Sequence, residues 1–138
     1  MSANVRTAEA NVSKSPGHQQ QPDHKVIEQR LGERVQVSVD GETIADSADV
    51  IRVEEDGFPV RYYFPRQDVS MDRLEPSAMT SECPFKGVAR SFDLNVGGQR
   101  IKDAVWSYED PYAEHRALKE RLAFFDDKVP KVEVGPRA

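Results

Sequence analysis

Ser91-Phe92-Asp93-Leu94-Asn95-Val96-Gly97-Gly98-Gln99-Arg100-Ile101-Lys102-Asp103-Ala104-Val105-Trp106-Ser107-Tyr108 is the stretch that decides the fold. Phe92, Leu94 and Val96 alternate with Ser91, Asp93 and Asn95, the period of a half-buried strand. Gly97-Gly98 turns the chain, and Arg100 to Tyr108 returns as the second arm of a hairpin. In the absence of a bulge, Ile101 and Val105 face one way, and Lys102, Ala104, Trp106 and Tyr108 face the other. That parity separates the only tryptophan from the aliphatic face.

The same grammar extends outward. Val35, Val37 and Val39 alternate with Gln36 and Ser38, Asp40-Gly41 supplies a tight turn, and Thr43-Ile44-Ala45 returns. Ile51 and Val53 alternate with Arg52 and Glu54, and Asp56-Gly57 breaks that strand. Val60-Arg61-Tyr62-Tyr63-Phe64 is rich in β-formers and stops at Pro65. Val69 to Leu74 suits one helical turn before Pro76. One helix is expected after Asp110-Pro111, with Asp110 as cap, Ala113, Ala117 and Leu118 on one face, and an end near Lys119 or Glu120. Leu122 to Phe125 forms a short buried strand, and Val129 to Val134 a weak last one. No βαβ alternation is present, so a doubly wound nucleotide-binding sheet is not expected. The fold class is mainly β, an α+β chain with one short helix.

Composition bounds the partners. The chain has 138 residues, 38% hydrophobic and 31% charged, with a net charge of −5. One domain with a modest core is expected. The acidic balance argues against nucleic acid and anionic membranes, which need clustered basic charge. Residues 1–25 are polar and aperiodic and are expected to be a disordered tail, with His18 and His24 as solvated residues. Residues 26–134 form the domain. No signal-peptide or membrane-spanning pattern is seen, and one cysteine, Cys83, suits a reducing cytoplasm. No motif calls for a cofactor or a metal.

The chemistry concentrates in Thr80-Ser81-Glu82-Cys83-Pro84-Phe85-Lys86-Gly87. Lys86 lowers the thiol pKa if the turn folds back on Cys83, giving an activated thiol or an anion-binding turn. The alternative is a buried cysteine anchoring a loop, with Lys86 snorkelling to water. His115, on the expected helix, is more simply an exposed residue than a base for Cys83. Arg61 either pairs with Glu54 or Glu55 or clamps a carboxylate or phosphate. Trp106 and Tyr108 either pack in the core or line a pocket. Glu109-Asp110 is better explained by capping than by a carboxylate dyad.

Several of these elements, in order, resemble the domain of unknown function 427 family: Val60-Arg61-Tyr62-Tyr63-Phe64-Pro65, Asp68-Val69, Cys83-Pro84-Phe85-Lys86-Gly87, Ala104 through Pro111, and Leu122 to Phe125. The resemblance covers about Val26 to Val134. It implies a β-tent, two sheets pinned at one edge and open at the other, and no particular reaction. The family also carries a nucleotidyltransferase-like label, but no paired acidic metal site after a glycine–serine turn is found here. Two departures stand out. Ser77-Ala78-Met79-Thr80 lacks the histidine that members often carry before the cysteine, and Glu120 stands where glycine is frequent. The expected function is binding of a small polar or anionic molecule by Arg61, Tyr63, Cys83, Lys86, Trp106 and Tyr108. The rivals are a Cys83-dependent enzyme and a structural or interaction protein. The binding expectation requires Arg61, Lys86 and Trp106 to converge on one opening.

Overall fold

The computed structural model describes residues 15–126 and 132–136. A short helix, α1 (Pro16–Gln20), precedes ten strands: β1 (Val26–Leu31), β2 (Val35–Val39), β3 (Glu42–Ser47), β4 (Val50–Glu55), β5 (Arg61–Tyr63), β6 (Leu74–Cys83), β7 (Gly87–Val96), β8 (Gln99–Tyr108), β9 (Leu122–Phe124) and β10 (Val132–Pro136). The protein is therefore mainly β. The ladders divide into three antiparallel sheets rather than two: β1-β4-β5, β10-β2-β3 and β6-β7-β8-β9. Two of them are pinned together. Phe64 and Leu122 form a bridge in which each backbone N–H donates to the other's carbonyl at 2.8 Å, joining the β5 edge to the β9 edge.

Both sequence hairpins form as expected. Asp40 and Gly41 adopt φ of 51° and 84°, and Gly97 and Gly98 adopt 57° and 79°, the paired positive angles of a tight two-residue turn. The valines of β2 are buried in strict alternation. A bulge does intervene in β8. Phe92 pairs with Val105 but Leu94 pairs with Ile101, so Asp103 is extruded at φ 52°. Asp93 stabilises the extrusion by accepting from the Asp103 N–H at 2.9 Å and from Arg100 at 2.8 Å. Those bonds, the backbone one foremost, hold the Asp93 carboxyl below the usual carboxylate range against the effect of its burial. The bulge breaks the simple parity at Ala104, which joins Val105 in the aliphatic core, while Trp106 faces away.

The core therefore has two parts. The larger one packs β2, β3 and β10 against Phe92, Leu94, Val96, Val105 and Phe124. The smaller one lies between the pinned sheets and contains Ile51, Val53, Tyr63, Ala89, Trp106, Tyr108, Leu118 and Ala123.

Several local expectations are corrected. Ser15 to His24 is folded against the domain, not disordered, and α1 is capped by Ser15, whose hydroxyl accepts from the His18 N–H at 3.1 Å. Met1 to Lys14 lies outside the described residues. The helix after Pro111 is a 3-10 turn, Ala113–Leu118, broken at His115; Asp110 does not cap it, and of its expected face only Leu118 is buried. β1 and β6 have weak alternation and were not expected. The last strand is Val132–Pro136, and residues 127–131 lie outside the described ones. The turn before Pro76 is 3-10, Met71–Arg73. Among the described residues no helix is long and apolar enough to cross a membrane.

Glu120, after the 3-10 turn, sits at φ 62°, a left-handed conformation that costs a side chain roughly 1 kcal/mol relative to glycine. Its backbone is nevertheless used twice, donating to Tyr108 O at 2.9 Å and accepting from Arg66 Nε at 2.7 Å. Glu120→Gly keeps both bonds and relieves the strain. It is expected to stabilise the protein by up to about 1 kcal/mol, read as a higher urea midpoint at unchanged slope.

Candidate functional site

The pin between β5 and β9 leaves an angle between two sheets, and the angle holds a cleft of about 340 Å³. Period two on the strands aims its side chains. Arg61 and Tyr63 point in from β5, Val53 and Glu55 from β4, and Trp106 and Tyr108 from β8. The turn Pro84-Phe85-Lys86, between β6 and β7, closes one wall with Cys83, and Phe125 follows β9. Arg61, Tyr63, Cys83, Lys86, Trp106 and Tyr108 all line this one opening. At the mouth, Phe58 is 64% exposed.

The aromatic frame is locked by polar contacts. Trp106 Nε1 donates to the Tyr63 hydroxyl at 3.1 Å, and the two rings meet edge to face. Burial pushes the phenols of Tyr63 and Tyr108 well above their ordinary range, so both stay neutral. Trp106 and Tyr108 serve both uses weighed from sequence: they are core residues of the smaller cluster and they wall the cleft.

The charges are placed otherwise than expected. Arg61 reaches from β5 to the residues that follow β9. It meets Asp126 at 3.3 Å, and its guanidinium lies 5.2 Å from the Trp106 ring and 5.3 Å from that of Phe125. Glu54 bonds Arg52. Lys86 does not snorkel to water: its side chain is 7% exposed, pairs with Glu55 and lies 5.9 Å from the Tyr108 ring centre. Glu55, 10% exposed, also accepts from His24 at 3.0 Å. Cys83 lies against the Tyr108 phenol, while the ammonium of Lys86 is engaged by Glu55. Glu109 is an ion-pair residue, 3.5 Å from Arg66 and 3.9 Å from Arg90.

The histidines were misjudged from sequence. His115 is buried, not exposed. Its Nδ1 is 2.6 Å from Glu28, and its Nε2 is 3.0 Å from Nε2 of His18. His24 stacks on Phe85 at 4.0 Å, and His18 meets the same ring edge-on at 4.9 Å. Thus Phe85 is a cleft wall on one side and a seat for two histidines on the other. Glu55 was likewise missed as a site residue. Its alternation with Ile51 and Val53 was the available signal, since it continues an inward face. Among the described residues no group of three or more His, Cys, Asp or Glu side chains is placed to hold a metal ion.

Gly87 makes the turn possible. Its φ is 127°, and an added Cβ would sit 3.3 Å from Asp110 O. The Lys86 carbonyl accepts from Tyr112 N–H at 2.9 Å, which ties the turn to the segment before the 3-10 turn Ala113–Leu118.

These features define a small mainly-β domain whose two pinned sheets enclose an aromatic cleft with buried charge. A family model described as Domain of unknown function (DUF427) matches residues 28–135, and the chain belongs to that family. No curated protein matches the chain.

The Glu55–Lys86 pair gives the site a measurable signature. Removing Lys86 takes the ammonium from the buried Glu55 carboxylate and leaves His24 beside it; breaking such a pair typically costs about 3 kcal/mol, whereas replacing both members with apolar groups is close to neutral. Lys86→Met is expected to destabilise by up to that amount, and Glu55→Leu with Lys86→Met to recover part of it, His24 losing its contact with Glu55. Chemical denaturation of the two variants checks the difference.

Proposed function

We propose that the cleft binds a small molecule with a flat or apolar body and a polar or anionic group. The observation that carries this reading is the convergence of Arg61, Lys86 and Trp106 on one hollow between the sheets. Its size falls within the range of small-ligand sites. The body of the ligand lies against Trp106, Tyr108 and Phe125, whose faces supply area at little entropic cost.

Arg61 is the anion contact. One of its partners, Asp126, is 35% exposed at the rim, so a ligand carboxylate or phosphate competes there with a solvated carboxylate. The planar guanidinium matches such groups with two parallel hydrogen bonds. Lys86 has a different role. Its charge is answered by Glu55 in a drier setting, so the pair presents a donor beside an acceptor and adds no net charge. The lone thiol and the acidic balance suit a cytoplasmic protein.

The rival reading, chemistry at Cys83, has one supporting fact: the sulfur belongs to the cleft wall. Its neighbour Tyr108 is held neutral and is no base at neutral pH. A cysteine-reactive probe separates the two. Binding alone predicts slow alkylation at pH 7 that a bound ligand slows further. Fast alkylation at pH 7, at the rate of a thiolate, supports the enzyme.

The direct test is a thermal-shift screen of small anions with ring systems. A ligand at a hundredfold its dissociation constant adds about 2.7 kcal/mol of stability. Arg61→Met is expected to weaken an anionic hit at least tenfold, the loss of one charge-assisted contact. Hits that bind Arg61→Met as tightly as the unaltered protein sink the assignment of Arg61.

A further inference from the structure

The segment Ser15 to His24 is laid over the outside of the Cys83–Gly87 turn and held at spaced points. Ser15 N–H donates to Glu114 Oε1 at 2.7 Å, Gly17 N–H donates to Pro84 O at 2.8 Å, and His24 reaches Glu55 at 3.0 Å. Gly17 is in near contact with the turn: a Cβ there would lie 2.7 Å from Phe85 Cδ1 and 2.8 Å from Pro84 O. Between these points stands the contact of His18 with His115.

The two imidazoles meet almost end to end, with nitrogens 3.0 Å apart and ring centres 5.3 Å apart. Such an approach holds one proton on the N···N line. Rings chelating a common ion would instead converge on a point beside that line. Glu28 accepts from Nδ1–H of His115 and fixes that ring. With both rings neutral, His18 donates to His115. With one proton added, one N–H still lies on the N···N line, and one ring still donates to the other. A second proton leaves two N–H groups pointing at each other and two like charges in contact.

We propose that His18 and His115 form an acid-released latch, which holds α1 on the cleft-wall turn while the pair carries at most one charge and lets it go when both rings are protonated. The groups facing His18 are His115 and Glu114 from the 3-10 turn, Glu55 from β4 and His24 from its own segment. Glu28 on β1 faces His115, and Lys86 neutralises Glu55. Burial, then His115 and more weakly His24, oppose a charge on His18, and Glu114 and Glu55 favour it. The balance lowers the His18 pKa below its ordinary 6.5. A lowered histidine value means that docking is fully present above about pH 6.5 and is lost as the pH falls through the lowered value. His24 is held separately, stacked on Phe85 and bonded to Glu55, so release is confined to Ser15–Gln20. The turn then loses the hydrogen bond from Gly17 and the edge contact of His18 on Phe85, while the wall of the cleft keeps its own strands. The latch does not depend on what the cleft binds.

Amide exchange of the full chain tests it. Between pH 7.5 and 5.0 the protection factor of the Gly17 N–H is expected to fall about fivefold, while that of Trp106 in β8 holds. His18→Gln can donate to or accept from His115 but takes no charge, so its Gly17 protection is expected to stay flat. His24→Gln is expected to keep the fall. A flat profile in the unaltered protein overturns the latch, as does a parallel fall at Trp106 or in His18→Gln. Loss of the fall in His24→Gln alone would assign the switch to the other histidine and overturn it equally.

Discussion

Two backbone hydrogen bonds between Phe64 and Leu122 set the geometry on which the site depends. They are short-range and unremarkable singly, each contributing on the order of 1 kcal/mol. Their effect is architectural. They fix the edge of one sheet to the edge of another, and the twist of each sheet then opens an angle between the faces. Phe64 and Leu122 are themselves fully buried in the larger core, so the pin is shielded from competing water. The smaller core fills the inner part of the angle, and the cleft is what remains of it.

Strand-borne side chains make that cleft rigid. Arg61 and Tyr63, two apart on β5, and Trp106 and Tyr108, two apart on β8, have no freedom to face elsewhere without a register slip that would expose their neighbours. The Trp106–Tyr63 hydrogen bond then satisfies the two polar atoms that such burial would otherwise strand. Charge is handled in the same way. Glu55 is shared between Lys86 and His24, which places a carboxylate between the interior and the segment covering it.

Much of this was legible in the sequence where a local rule decides. Asp40-Gly41 and Gly97-Gly98 specify their turns, and the alternation in β2 specifies which residues go in, whereas β7 buries Ser91 and Asp93 along with Phe92 and Leu94. Legibility failed where the outcome is tertiary. Lys86 looks like a surface lysine because nothing within four residues announces Glu55, 31 positions away. His18 looks solvated because His115 lies 97 residues on. Asp103 leaves the strand only because Asp93 stands opposite to accept its N–H, a pairing that single-strand parity ignores. The segment Ser15–His24 has too little apolar surface to fold alone and is ordered by glycine's lack of a side chain at Gly17 and by the aromatic face of Phe85. The residues of the cleft were visible as types; the pairing of their charges was not.

The outer strand β6 closes the β6-β7-β8-β9 sheet on one side, and its ladder to β7 is interrupted between Pro76 and Thr80. Proline has no N–H to offer a newcomer, the interruption kinks the border, and charged side chains line it, Glu82 and an ion-paired Glu75 among them. Two copies meeting border to border would find a gapped and charged template. A protein with this many strands in so short a chain thereby resists zipping into fibrils, even with Met79 and Val88 open to water nearby.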